Sequence, residues 1–315
     1  MGIKNLNHFL TNYCNNDAVG KAHLGDFTGK TIVVDASIYL YRFVGENKLI
    51  EHLYLMVSIF LHYDIVPIFV FDGVPPPEKK QVLLERRESK RAAQEKYECL
   101  KNSMSLDTDE MEKLKKQFIH IRESDIVVTK SILDDLGIAW IAAPSEADEI
   151  CAHLLHTGQA YACLSDDMDM FAYGCVRVLR HLSLVKHTVL LYDVGEILVQ
   201  LKMNVQDFRQ VLVLAGTDYN VDDHIETKES FRWFQIYKRE TLFCETDAVP
   251  SFYAWLIQNT QYIQNIDKLN SVLNMFRPKN HINYIVNKKH SDSCHLFETL
   301  SSDGFVFPFF SNNNN

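Results

Sequence analysis

The sequence predicts an α/β fold built on a mainly parallel central sheet with helices on both faces. Three observations carry that expectation. Short apolar, β-branched runs recur through the first two thirds of the chain. They are unbroken rather than alternating, as in strands buried on both faces. Helical stretches separate several of them, in the strand–helix–strand order of parallel units.

The elements follow in order. TIVVDAS (31–37) and VPIFVFDG (66–73) read as the first two strands, joined through the helical KLIEHLYLMVSIFLHY (48–63). A long detour over 75–136 comes next. It opens on VPPPEKK, where prolines stop the strand and can start a helix. It runs polar and charged through QVLLERRESKRAAQEKYECLKN, loosens at SMSLDTDE, and resumes at MEKLKKQFIHIRESD. Two or more helices projecting from the sheet are expected, since a crossover this long is uncommon and usually functional. IAWIAAP (138–144), AYACLSD (160–166), VRVLRH (176–181) and HTVLLYD (187–193) complete the strands, with the helical SEADEICAHLLHTG (145–158) among them. Beyond about residue 216 the strand signals fade into FRWFQIYKRETLFC, SFYAWLIQNTQYIQNIDKLNSVLNMF and an irregular tail, SSDGFVFPFFSNNNN. The chain thus divides at 1–74, 75–136, 137–220 and 221–315. No internal repeat is visible.

Composition bounds the function. With 315 residues, 47% of them apolar, a substantial core is available. The formal charge of −9 argues at first sight against nucleic acid, though net charge is a weak guide. Seven cysteines (Cys14, Cys99, Cys151, Cys163, Cys175, Cys244 and Cys294) are odd in number and scattered, with no C-x-x-C. They read as small hydrophobes in a reducing compartment rather than a disulfide framework or zinc site. No apolar run reaches the ~18–20 residues of a bilayer span, and no signal peptide is visible. Leu6 stands where a myristoylation signal needs Ser or Thr. A soluble intracellular protein is expected.

The acids fall at strand ends. Asp35 closes TIVVD, Asp72 closes IFVFD, Glu146 and Asp148 follow IAWIAAPS, and Asp167 and Asp169 follow YACLS. Ligands of open α/β sheets bind beyond the carboxyl ends of the strands, which in a parallel sheet share one edge. Distant acids would therefore converge. Repulsion and burial push such carboxylates toward protonation. The usual remedy is a hard divalent cation; Mg²⁺ prefers oxygen ligands and keeps several waters. Two such ions ~4 Å apart stabilise both the attacking and leaving oxygens of phosphodiester cleavage. One Asp at a strand end is ordinarily an N-cap or turn former. Acids after four strands point jointly to a divalent-metal site. Asp166 reads as the exposed member of its cluster, and Asp222 and Asp223 carry no role.

MGIKNL, VVDASIYLYRF, VFDGVPPPEK, APSEADEICAHL, SDDMDMFAYG, VLRHL and LAGTDYN occur in this order over residues 1–220. Together they resemble the flap endonuclease / XPG family of structure-specific 5′ nucleases. The resemblance implies a PIN-like 5′-nuclease fold, a helical arch and cap over 75–136, and a C-terminal helical region. It implies two Mg²⁺ ions, with Mn²⁺ able to substitute. Asp35, Asp72, Glu146 and Asp148 would hold the first, and Asp167, Asp169 and Asp218 the second. Asp148 stands where the family has Glu, one methylene longer. Without these seven acids the charge of −9 becomes −2, so the acidic total does not exclude DNA.

Lys79 and Arg86, seven apart on one helix face, match the cations that reach the scissile phosphate. Tyr41 matches the ring that stacks on the neighbouring base, although its sequence context alone suggests a core aromatic. Gly2 matches a position where the backbone approaches the nucleic acid. Lys228 survives in HIETKES (224–230), where the family carries a Gly-Ile-Gly-Pro-Lys type run. Without those glycines close backbone approach is harder, which counts against a potassium site and for a weaker or differently built duplex grip. In the tail, Val306, Phe309 and Phe310 faintly match a sliding-clamp motif, with Asp303 in place of Gln.

The implied reaction is hydrolysis of DNA phosphodiesters at single-strand/duplex junctions, 5′ flaps above all, in replication, repair or recombination. A monomer working in the nucleus is expected, or in a host nucleus for a viral member. Two rivals stand beside it. A PIN-like RNA-directed nuclease is disfavoured by the long detour, and a non-catalytic branched-DNA-binding protein by the intact acids.

Overall fold

The apolar runs become strands of one sheet. The structure, a computed structural model, describes residues 2–102, 108–220, 224–242, 250–263, 265–279 and 282–305. Its strands are β1 (Val19–His23), β2 (Thr31–Asp35), β3 (Val66–Phe71), β4 (Ala139–Ala142), β5 (Ala162–Leu164), β6 (Arg177–Ser183), β7 (Thr188–Asp193) and β8 (Val286–Asn287). They lie in the order β1-β7-β6-β5-β2-β3-β4-β8. The pairs β6–β5, β5–β2, β2–β3 and β3–β4 are parallel. Antiparallel strands flank this block: β7 beside β6, β1 outside β7, and β8 on β4.

Both faces of the parallel block are buried, which is why its runs are unbroken. Val33, Val70, Ile141, Cys163 and Val178 point to one face, under helices that include Ala147–His156 and Val205–Leu214. Ile32, Val34, Phe69, Phe71, Leu164 and Leu179 point to the other, under Ala36–Gly45, Leu49–His62 and Glu123–Asp135. The detour after β3 contains helices Lys80–Asn102, Thr108–Lys115 and Glu123–Asp135. The last does not project. Ile132 and Leu133 are buried against the sheet, so it serves as an ordinary crossover helix.

Two strands escaped the sequence reading. β1 (VGKAH) contains Gly and Lys and is buried only on alternate positions or less, and β8 is two residues long. Both are edges, where an apolar run is not required. Three cysteines, Cys151, Cys163 and Cys175, are buried; Cys14 is half-buried, while Cys99 and Cys294 are exposed. Cys244, Val306, Phe309 and Phe310 lie outside the described residues. No helix among the described residues is long and apolar enough to cross a membrane.

The carboxyl ends of β2, β3, β4 and β5 share one edge. There the chain leaving β3 must pass the chain leaving β4. The Gly73 amide donates to the Ser145 carbonyl at 2.6 Å. A Cβ on Gly73 would run into the Ala143 carbonyl oxygen and lie 2.8 Å from the Pro144 carbonyl carbon. Both neighbours are backbone and cannot swing aside. Gly73→Ala is therefore expected to cost about 1–3 kcal/mol. Urea unfolding would register this as a lower midpoint at unchanged slope.

Candidate active site

Seven acids meet at that edge. Asp35, Asp72, Glu146, Asp148, Asp167 and Asp218 line one cavity of about 610 Å³. Asp169 lies just behind, 1% exposed. Hydrogen bonds tie the floor together. Ser165 Oγ donates to Asp35 Oδ2 (2.9 Å), and the Asp167 amide donates to Ser165 Oγ (3.2 Å). The Asp169 amide donates to Asp167 Oδ1 (3.0 Å), and the Asp218 amide to Asp169 Oδ2 (3.5 Å). On the β3 side the Ala147 amide donates to Asp72 Oδ1 at 2.8 Å.

Crowding shows in the proton affinities. Burial, then the nearby Asp72, pushes Asp35 up to about 8. Burial and Asp167 raise Asp148 and Asp169 well above the carboxylate range. Burial raises Asp167 too, against the opposing hydrogen bond from the Asp169 amide.

Two cations answer this charge. Lys79, 7% exposed, follows the Pro76–Pro77 turn into the cavity. Its Nζ stands 2.6 Å from Glu146 Oε1 and 3.6 Å from Asp218 Oδ2, over the Tyr219 ring at 5.1 Å. Burial works against its charge, but Glu146, Asp148 and Asp218 outweigh that and raise its affinity for the proton. Lys79 ends the short turn Pro77–Lys79, and Arg86, on the helix Lys80–Asn102 that follows, places NH2 2.6 Å from Asp218 Oδ2.

Glu146 is fixed from both sides. The Tyr219 hydroxyl donates to its Oε2, and the Tyr173 and Tyr219 hydroxyls lie 3.2 Å apart. Phe276 backs both rings. Ser165, Tyr173 and Tyr219 were missed by the sequence reading. All three sit inside or beside the acidic motifs, and that proximity was the available signal.

Other expected residues fall as follows. Gly2, at φ 69°, leaves no room for a side chain: a Cβ would lie 2.6 Å from Asp169 Oδ1 and overlap Asp167 Oδ1. Tyr41 is not a core aromatic. It is 42% exposed at the cavity wall, with Lys90 Nζ 4.8 Å above its ring. Lys228 is exposed on the first turn of the helix Thr227–Thr241 and does not line this cavity. Asp166 is half-buried and turned toward the Arg180 and His181 side, its Oδ1 accepting from the His181 amide at 2.8 Å.

Among the described residues no three His, Cys, Asp or Glu side chains form a ready-made metal cage. Lys79 and Arg86 occupy the Glu146 and Asp218 oxygens instead. The donor set still suits a hard divalent ion. It is all carboxylate, several members are crowded toward protonation, and the buried Asp169 Oδ1 has no hydrogen-bond partner.

Two family models match the chain: the XPG N-terminal domain over residues 1–94 and the XPG I-region over residues 137–218. A flap endonuclease 1 of Methanococcus aeolicus is 29% identical over 224 residues, 65% of this chain and 68% of its own. One from Glycine max is 33% identical over 239 residues, 70% of this chain but 62% of its own, under two thirds of that relative. The catalytic core of Rad2 in complex with DNA substrate shares the fold, with a TM-score of 0.66 at 22% identity, covering 96% of this chain and 94% of its own.

The raised carboxylates fix the sign of a pH dependence. Groups that bind protons more tightly folded than unfolded stabilise the fold at low pH and lose that contribution as pH rises. In EDTA, the melting temperature is expected to fall between about pH 4 and about pH 8, the interval from the ordinary value of Asp35 to its folded one. Asp35→Asn should flatten that slope. A flat profile in the unsubstituted protein would show that the acids are not crowded.

Proposed function

Because the chain belongs to the XPG / flap endonuclease family, we propose that it is a Mg²⁺-dependent, structure-specific 5′ nuclease. Its substrate is DNA with a junction of single and double strand, a 5′ flap foremost, and its setting is replication, repair or recombination. One observation carries the reading: six acids from four strand ends and a later loop line one cavity roofed by Lys79 and Arg86, with Asp169 directly behind.

In this reading Asp35, Asp72, Glu146 and Asp148 hold one ion, and Asp167, Asp169 and Asp218 the other. Bound there, two Mg²⁺ would supply an activated water and neutralise charge on the phosphate. The protein's own groups do the positioning. Lys79 and Arg86 lend their charge to Glu146 and Asp218 in the DNA-free fold. They are also the cations nearest a phosphodiester drawn into the cavity, where positive charge stabilises the transition state. Tyr41 offers an exposed ring at the wall, suited to stacking on a base of any sequence. Gly2 lets the N-terminal backbone lie against the acids. Lys228 is assigned to duplex phosphate.

A 5′-flap DNA labelled at either end tests the reading. In Mg²⁺ the parent should release the flap and leave a 5′-phosphate on the product. Asp167→Asn and Lys79→Ala should each slow cleavage by about 10²–10³-fold. Ca²⁺ in place of Mg²⁺ should permit binding without cutting. An Asp167→Asn protein that cuts as fast as its parent would remove the metal assignment. A parent that binds but never cuts would mark a branched-DNA-binding protein.

A further inference from the structure

Tyr219 follows Asp218 directly, and it touches an acid and a cation of the site at once. Its hydroxyl donates to Glu146 Oε2, while its ring faces Lys79, with Nζ 5.1 Å from the ring centre. Those two partners also meet each other, Lys79 Nζ standing 2.6 Å from Glu146 Oε1. The three side chains close a triangle. A hydroxyl has a single proton to donate. Tyr219 directs its own to Glu146, so in the 3.2 Å contact between the two hydroxyls Tyr173 is the donor. The direction is therefore set, from Tyr173 through Tyr219 to Glu146, and bonds in such a chain strengthen one another.

This arrangement makes the two oxygens of Glu146 unequal. Oε2 is held by a ring that cannot turn away. Both tyrosines are buried, and the fully buried Phe276 packs edge-on against them, its centre 4.8 Å from the Tyr173 ring and 5.4 Å from the Tyr219 ring. Oε1 is held by the end of a flexible lysine stem, which can swing aside. The ammonium has few places to go. Asp218 Oδ2 is 3.6 Å off and already paired with Arg86 at 2.6 Å. The Tyr219 ring attracts a cation through its quadrupole and needs no acceptor oxygen to do so.

We propose that Tyr219 is a positioning residue serving both halves of the reaction. Its hydroxyl keeps Glu146 turned so that Oε1 is the oxygen available to a divalent ion. Its ring keeps the Lys79 ammonium in the cavity once that oxygen is taken. The proposal rests on the nuclease reading of the cavity and deepens it. Glu146 is claimed both by the ion and by the lysine that must meet the phosphate. Tyr219 makes the two claims compatible, because its hold on Lys79 does not draw on the carboxylates.

Three variants separate the parts. Tyr219→Phe removes the hydroxyl and keeps the ring, Tyr219→Leu removes both, and Tyr173→Phe removes only the first donor of the chain. The first measurement is Mn²⁺ binding without DNA, read from the electron paramagnetic resonance of the free ion. Both Tyr219 variants should bind about tenfold more weakly, with Tyr173→Phe between them and the parent. The second is cleavage of a labelled 5′ flap as Mg²⁺ is raised. Tyr219→Phe should need more Mg²⁺ and then recover most of its kcat. Tyr219→Leu should stay about tenfold lower in kcat at every Mg²⁺ concentration, with KM little changed. Equal kcat in Tyr219→Phe and Tyr219→Leu at saturating Mg²⁺ would overturn the role of the ring. Parental Mn²⁺ affinity in both would overturn that of the hydroxyl. Losses that track the melting temperature in EDTA across the three variants, rather than hydroxyl and ring, would mark simple packing and overturn both. Tyr219→Met, a flexible filler of the same space, replaces Tyr219→Leu if that protein does not fold. A parent that binds Mn²⁺ but does not cut counts against the nuclease reading alone, since the Mn²⁺ measurement still decides the role of the hydroxyl.

Discussion

The structure depends on keeping like charges together. Asp35, Asp148, Asp167 and Asp169 are each under a tenth exposed and crowd one sheet edge. Burial and repulsion both oppose their ionisation. The fold answers with Lys79, placed by a proline turn among Glu146 and Asp218. A chain of hydroxyl and amide donors runs from Ser165 to Asp218. Other features serve the same end. Gly2 is bare because the acids occupy its side-chain space, and Gly73 is bare because two loops must cross beside them.

Much of this was legible in the residues, and for definite reasons. Strands β2 to β5 announced themselves because a parallel block buried on both faces leaves little room for polar positions, and β6 and the antiparallel β7 did so through the apolar runs in VRVL and TVLLY. The acids did so because the edge they occupy is fixed by strand direction. β1 and β8 were silent, since an edge strand needs only a partner for its backbone. Charge pattern alone reads Lys79 as one of many cations on a solvated, Glu-laced helix; the family resemblance singled it out with Arg86, and its burial depends on how the chain sits, not on its neighbours in sequence. Ser165, Tyr173 and Tyr219 are common residue types whose roles arise only through space. Tyr41 shows the reverse. Its local context suggested the core, while the family resemblance suggested the wall, and it stands on the wall.

The C-terminal third replaces a motif with packing. Where the family carries a glycine-rich run, this chain starts the helix Thr227–Thr241 with Thr227 buried and bonded to the Lys4 carbonyl. Phe234, Tyr237, Phe252 and Trp255 interlock behind it. Phe276, in the same core, backs Tyr173 and Tyr219, and through Tyr219 supports Glu146. The region that departs most in sequence thus still buttresses the acids.

The partners that build the edge are far apart along the chain: Ser165 bonds Asp35 from 130 residues away, and Arg86 meets Asp218 across 132. Contacts of such long span close late and slowly. A nascent chain that has emerged just past β3 holds Asp35 and Asp72 without Ser165, Glu146 or Asp218. It carries one repelling pair but not the other acids, nor Lys79 and Ser165 that answer them. The acidic edge is therefore complete only after translation has passed Asp218, and a chain interrupted before that point cannot assemble it.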